Sequence, residues 1–343
     1  MKNDKFSIRF PIFVTILSIC LLILFIISFQ IGSYPIEANV LLDVLLSKIM
    51  DIRVYWDSTV EKIIMDVRIP RIILGILVGG SLSVSGASYQ TLFKNPMVSP
   101  DILGVSAGAG FGAALAMINS GTWAEIQISA LLFGLLAVAI AYLISKVSGT
   151  SDITTFVLAG VIVSNFFNAL LSVVKTYADT DSQLPSITFW LMGSLGKGDT
   201  EDLIRIVPIV FVCIAILFIC RYYIDVLSTG DEEAMAMGIN VNIIRTAVII
   251  CSTLMTVISV SICGTIGWVG LVIPHIARMF VGARYSRLLI TSFLMGGFFL
   301  LLMDNIVRGV STVQLPLGVL TSLVGTPVFA VLLIRSRRGK ENA

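Results

Sequence analysis

Ten apolar stretches, each close to the length that crosses a bilayer, take up most of this chain. The spans read as 10–30, 69–92, 101–118, 124–145, 153–175, 203–222, 243–263, 268–283, 288–307 and 315–334. A bilayer core needs about 20 apolar residues per helix, so ten spans use most of 343 residues and leave only loops. With 57% hydrophobic and 13% charged residues, water is excluded as the solvent of most of this surface. Backbone in hydrocarbon must satisfy itself, which leaves helices for runs of this length. The expected fold is therefore an all-α polytopic membrane protein, one transmembrane domain over 1–343.

The first run comes after Lys2, Lys5 and Arg9, is longer than a signal core and has no A-x-A site after it, so it reads as a retained helix. The span 268–283 is the least regular, because Pro274, His275 and Arg278 interrupt it. An even count puts both basic ends on one side. The basic cluster Arg335, Arg337 and Arg338 assigns that side to the cytoplasm. The loops 31–68 and 176–202 then lie outside, and 223–242 inside. The first loop has room for one or two short amphipathic helices around Val40, Leu41, Val44 and Leu45. The second is acidic, with Asp179, Asp181, Asp199, Glu201 and Asp202.

Small residues recur inside the spans: Gly75 and Gly79; Gly104, Gly108 and Gly112; Gly264, Gly267 and Gly270. Such faces let helices approach closely and predict a tight bundle.

Chemistry is sparse. A net charge of +2 gives no reason to expect nucleic acid. Cys20, Cys213, Cys220, Cys251 and Cys263 lie in apolar runs with no CxxC or Cys/His pairing, so neither disulfide nor metal site is expected. Asp101, Asp304, His275 and Arg278 sit near span ends, and no buried carboxylate relay can be assembled for ion coupling. There is one histidine and no HExxH, GxSxG or P-loop, so no catalytic set and no cofactor is expected. His275 beside Pro274 reads as structural at a helix break.

Two polar segments invite more than one reading. Phe93 to Asp101 carries Asn95, Pro96, Met97 and Pro100; it is a plain turn, or irregular backbone lining water. The loop 223–242 contains a short helix that Thr229 or Asp231 can cap and Gly238 can stop. Asn240 can cap a second short helix that runs into the seventh span. The loop is a solvated connector or a docking element for a soluble partner.

Several segments, in order along nearly the whole chain, resemble the permease subunits of type II ABC importers for iron-siderophores, haem or cobalamin. They are Arg68-Ile69-Pro70-Arg71, Ser85 to Gln90, Asn95-Pro96-Met97, Leu103 to Ala109, Trp190 to Ser194, 227–239, Gly267 to Arg278 and Leu315 to Gly318. Trp268 departs from the family's usual Phe, and Met97 from its common Leu; both keep apolar bulk. The resemblance implies ten helices per subunit, a second permease subunit (identical or paralogous), two cytoplasmic ATPase subunits that use the ATP, and an external substrate-binding protein. It implies ATPase coupling through Leu227, Gly230, Asp231, Glu232, Glu233, Ala234, Met237 and Gly238. It implies binding-protein docking by Arg68, Arg71 and Arg308, whose forks suit carboxylates, with interfacial anchoring as the plainer alternative. Asn95 and Met97 match an inner gate. The fifth span is the family's path-lining helix, and here Ser164, Asn168 and Ser172 share a face, either as lining or as bonds to a neighbouring helix. The expected cargo is a ferric siderophore, with haem, cobalamin or an oxyanion such as molybdate as alternatives, and a stand-alone secondary transporter as a different class.

Overall fold

The computed structural model describes residues 4–32, 34–48, 50, 54–148, 153–310 and 315–341. Lys2, counted above among the basic residues of the N-terminal end, lies outside the described residues, as do the side chains of Lys5, Arg9, Arg335, Arg337 and Arg338.

All ten expected spans are helical. They are α1 (Asp4–Ser28), α4 (Ile69–Leu92), α5 (Val105–Ile118), α6 (Trp123–Val147), α7 (Ile153–Tyr177), α9 (Thr200–Ile219), α12 (Val241–Cys263), α13 (Val269–Val281), α14 (Tyr285–Val310) and α15 (Leu317–Glu341). Between them lie α2 (Ala38–Leu46), α3 (Ser58–Lys62), α8 (Gln183–Leu191), α10 (Arg221–Leu227) and α11 (Asp231–Ala236). Among the described residues, six helices are long and apolar enough to cross a membrane: α1, α6, α7, α9, α12 and α14. The apolar parts of α5, α13 and α15 are shorter.

The short helices have irregular backbone before them. Thirteen residues of helix rise about 20 Å, against a hydrocarbon core of about 30 Å. The expected single span 101–118 is instead a 3₁₀ turn, Pro100–Leu103, then Gly104 at φ +83°, then α5. Likewise Gly264 (φ +71°) and Trp268 (φ +71°) bound the non-helical stretch before α13. Such backbone is tolerated at depth when protein covers it. Leu103, Gly104, Cys263, Gly264 and Ile266 are all buried.

α4 is the central helix, buried over most of its length. It starts earlier than the apolar pattern says: Asp57 caps α3 by accepting from Thr59 N at 2.7 Å, and α3 runs through a π-helical stretch, Ile63–Arg68, into α4 without a break. Its glycines let neighbours in. A Cβ on Gly79 would run into the Gly296 backbone of α14, and one on Gly86 into Gly270 of α13. Buried hydroxyls then bridge helices: Ser85 Oγ donates to Ser252 O at 3.0 Å, Tyr89 Oη meets Thr253 Oγ1 at 2.7 Å, and Ser88 Oγ meets Tyr285 Oη at 2.6 Å. Interhelical bonds of this kind contribute about 0.6 kcal/mol each in a membrane. The predicted small-residue face Gly108/Gly112 packs α5 against Phe133 and Ser129 of α6 in the same way.

The amphipathic reading of the first loop holds: Leu41 and Val44 of α2 are buried with Leu24, Trp56, Ile72 and Leu301. The second loop is less open than its acids suggest, because α8 lies within it and packs Ile187 and Trp190 on the bundle.

Candidate functional site

A cavity of about 1050 Å³ opens between α7, α15 and the start of α5. Ser164 and Asn168 of α7, Ser322 and Thr326 of α15, Ser106 of α5, Thr265 and Asp101 supply its polar groups. Apolar Leu171, Leu191, Met192, Val319 and Leu323 supply the rest. Among the described residues Asp101 is the one charged lining residue, and its carboxylate accepts from Ser106 Oγ. The Ser164 hydroxyl donates to Gly160 O of its own helix at 2.8 Å. That i to i−4 bond needs no neighbour, and it leaves the oxygen lone pairs for the cavity. The Asn168 side chain makes no hydrogen bond among the described residues and is exposed, so its amide is free for a solute.

Of the predicted face, Ser164 and Asn168 reach this cavity. Ser172 does not line it and bonds back to Asn168 O at 2.9 Å. The reading missed Ser322 and Thr326, although they show the same i, i+4 polar spacing on α15 that singled out Ser164 and Asn168. Thr265 and Ser106 carried no such signal.

Asn95 and Met97 lie on the α4–α5 turn, are exposed and do not line the cavity. Lys94 takes the left-handed position (φ +50°) that ends α4, with Lys94 N on Thr91 O and Asn95 N on Gln90 O. Asn95 Oδ1 then accepts from Met97 N at 2.9 Å. Gln90 fixes the turn to the bundle, donating to Val98 O and to Leu271 O at 3.1 Å.

Three chain segments meet beside the cavity. Ser194 N donates to Cys263 O (2.7 Å), Leu317 N to Gly193 O (2.9 Å) and Gly318 N to Met192 O (3.0 Å). The ends of α8 and α12 and the start of α15 are thus joined backbone to backbone, with Gly193 and Gly264 at positive φ. Trp268, which starts α13, packs on Phe329 and against Gly325 of α15.

The α10–α11 loop divides its predicted residues by role. Leu227, Gly230 and Ala234 are buried and hold it to the bundle. Glu232, Glu233, Met235 and Met237 face out, the methionines each 58% exposed. Asp231 does not cap the helix; it pairs with Arg245 at 2.6 Å, and Gly230 is the N-cap. Gly238 (φ +76°) ends α11 with its N–H on Met235 O and Ile239 N on Ala234 O, the Schellman pattern. Asn240 caps α12, accepting from Ile243 N at 3.2 Å; the second short helix expected after it is simply the start of α12. Asp225 of α10 accepts from Tyr285 N at 2.6 Å; burial pushes its carboxyl up, and that bond opposes the shift.

The predicted docking arginines point inward. Arg68 is 4% exposed and donates to the carbonyls of Phe29 and Tyr34. Arg308 donates to Ser28 O and Ile31 O, at 3.2 and 2.9 Å. Together they satisfy carbonyls at the end of α1 and in the run just after it, a place where cations are favoured. Arg71 pairs with Asp304 at 2.8 Å, and Arg308 Nε lies 2.9 Å from the same carboxylate. These contacts are made inside the chain because the run after α1 folds back over the start of α4, which the span pattern did not reveal.

The sequence profile of the FecCD transport family matches residues 20–335. The chain is 36% identical over 326 residues to the molybdate import system permease protein MolB of Haemophilus influenzae, covering 95% of this chain and 96% of that one. It is 39% identical over 286 residues to an iron chelatin transport system permease of Helicobacter pylori, covering 82% and 85%. A solved structure of a metal-chelate type ABC transporter, in an inward-facing conformation, superposes with a TM-score of 0.85 at 35% identity, over 95% of this chain and 99% of that one.

Proposed function

The chain belongs to the FecCD transport family as a multi-pass permease subunit of an ABC importer, and from that premise we propose that its cargo is a ferric siderophore. The observation that carries the cargo is the wall of the 1050 Å³ cavity: among the described residues it is hydroxyls, one amide, apolar side chains and a single carboxylate, with no Lys or Arg. A bulky, weakly polar chelate passes such a wall without being held. A small dianion gains little from it, since anion sites are built from cations and aimed N–H donors. Molybdate is the second reading, because the Haemophilus influenzae relative named for it spans almost the whole chain.

In this reading the cavity is half of a path completed by a second permease subunit. Two cytoplasmic ATPase subunits close on ATP and move the α10–α11 loop. An external binding protein delivers the cargo, and both chain termini are cytoplasmic. Because ligands shift a two-state equilibrium only through differential affinity, the ATPases and binding protein must prefer different states of the bundle. The chain's own residues supply the lining and the docking surface; hydrolysis belongs to the partner.

The test is uptake by host cells lacking the chain and complemented with it, using radioactive iron as a ferric hydroxamate or catecholate and, separately, radioactive molybdate. Iron chelate uptake that depends on the chain and stops when the partner ATPase is disabled supports the proposal. Rescue of molybdate uptake alone replaces it with the second reading. Uptake that survives loss of the ATPase removes the importer mechanism.

A further inference from the structure

The half-buried carboxylate of Asp101 has no counter-charge. Among the described residues it forms no ion pair, and no Lys or Arg shares its cavity wall. One oxygen, Oδ1, accepts from the Ser106 hydroxyl. The other, Oδ2, has no partner among the described residues and keeps accessible surface. Carboxylates taken out of water are as a rule paired, so an unpaired one on the wall of a transport cavity points to the solute.

The backbone that carries Asp101 is held from both sides. Pro100 fills the space over Gly270 of α13, where an added Cβ would lie 2.5 Å from the proline ring. The Ile102 carbonyl lies against Gly160 of α7, where a Cβ would come within 2.1 Å of it. Gly104 N closes the 3₁₀ turn on Asp101 O at 2.9 Å, and Gly104 itself abuts Ser164 of α7. Ser106 belongs to the first turn of α5, where open helix N–H groups favour a negative charge. The charge thus sits on rigid backbone beside the polar face of α7, and with no counter-ion on the wall its field reaches across the cavity.

We propose that Asp101 is a specificity-determining residue, a fixed negative charge that passes neutral or cationic chelates and turns back anionic ones, so that the cargo is a ferric chelate of the trihydroxamate class. This cargo class rests on the siderophore reading and narrows it. Ferric iron held by three hydroxamates is neutral, and cationic where the ligand bears a free amine. Held by three catecholates it is a trianion, and molybdate is a dianion. An ionised carboxylate only accepts, so Oδ2 suits an N–H or ammonium group on the passing chelate. An anion meets like charge there, with no cation on the described wall to offset it.

The test reads the charge at the wall directly. Asn168→Cys puts a thiol on the cavity of the full chain, purified with its partner subunits and placed in phosphatidylcholine nanodiscs, whose lipids add no net charge. The parent chain, with its five cysteines in apolar runs, gives the background. Labelling rates are measured with trimethylammonioethyl methanethiosulfonate and with its anionic sulfonatoethyl counterpart, each divided by its rate with mercaptoethanol. The cationic reagent should be favoured about tenfold at the introduced thiol; Asp101→Asn should remove that preference and Asp101→Glu should keep it. No preference in the Asn168→Cys chain itself, no reaction with either reagent, or a preference that survives Asp101→Asn overturns the charge filter, whatever the cargo. Chain-dependent uptake of a ferric tris-catecholate as fast as that of a ferric trihydroxamate also overturns it, and leaves the siderophore reading standing. Uptake of molybdate alone removes the siderophore reading, and the trihydroxamate class with it, even where the thiol preference is found.

Discussion

Arg71 of α4 and Asp304 of α14 meet through a forked pair, Nη2 on Oδ1 at 2.8 Å and Nε on Oδ1 at 3.0 Å, with the carboxylate 1% exposed. Arg308 shares the same acid. Removing the acid leaves two buried guanidiniums beside each other with no counter-charge, and breaking a buried pair this way costs about 3–5 kcal/mol. Asp304→Asn should lower the melting temperature in detergent sharply, and Arg71→Gln on top of it should recover part of the loss. A single mutant that melts with the parent would falsify the keystone role.

Arg68→Gln should also destabilise the chain, since it removes the fork from the carbonyls at the end of α1. The loss should be insensitive to salt, whereas an exposed docking charge would give binding that weakens as salt rises. Thermal melts at low and high sodium chloride, set beside binding-protein affinity at both, separate the roles. Full stability with salt-dependent loss of docking would return Arg68 to the surface function that its sequence position suggested.

Gly86→Val places side-chain carbon against the Gly270 carbonyl, where neither α4 nor α13 can yield without moving the core. Overpacking of this kind costs about 1–3 kcal/mol. The check is the yield of folded protein by size-exclusion chromatography in detergent, compared with Gly238→Ala, which meets no atom and is strained only by its positive φ.

Asn168→Trp should fill part of the large cavity and stop cargo uptake while the partner ATPase still turns over. The side chain is exposed and unbonded, so stability should change by no more than about 0.5 kcal/mol. Uptake at the parental rate in vesicles would remove α7 from the path.

Glu232→Lys with Glu233→Lys reverses two exposed charges on α11, leaving the buried anchors Leu227 and Ala234 alone. The melting temperature should stay nearly unchanged while coupling of ATP hydrolysis to uptake is lost. Normal coupled transport in the double mutant would assign the loop to connection only.

Sequence and fold agree best where the signal has a period. The ten spans were legible because a bilayer-length apolar run has few other solutions, and Gly79, Gly108 and Gly270 sit at close approaches because small residues in lipid have few other uses. The helix α8 was not, because nine residues bearing Pro185 inside an acidic loop lack the length to show a period; the spacing of Leu184, Ile187 and Leu191 is its trace. The inward turn of Arg68 was hidden for another reason. It depends on where the carbonyls of Phe29 and Tyr34 fall, and hydropathy carries nothing about that. Trp268 at φ +71° is a similar case: glycine is the usual residue there, and nothing in the one-letter string marks a tryptophan as taking its place.

The junction of α8, α12 and α15 is tied by main-chain bonds: Ser194 to Cys263, Leu317 to Gly193 and Gly318 to Met192. Main-chain amides and carbonyls are not altered by most substitutions. Side chains on either flank of that seam are therefore free to drift, and a lineage can re-letter Ser322, Thr326 or Asn168 for a different solute without loosening the place where the three helices are fastened. The cost falls on Gly193 and Gly264, whose lack of a side chain lets the segments meet, and these are the positions at which evolutionary change should be slowest.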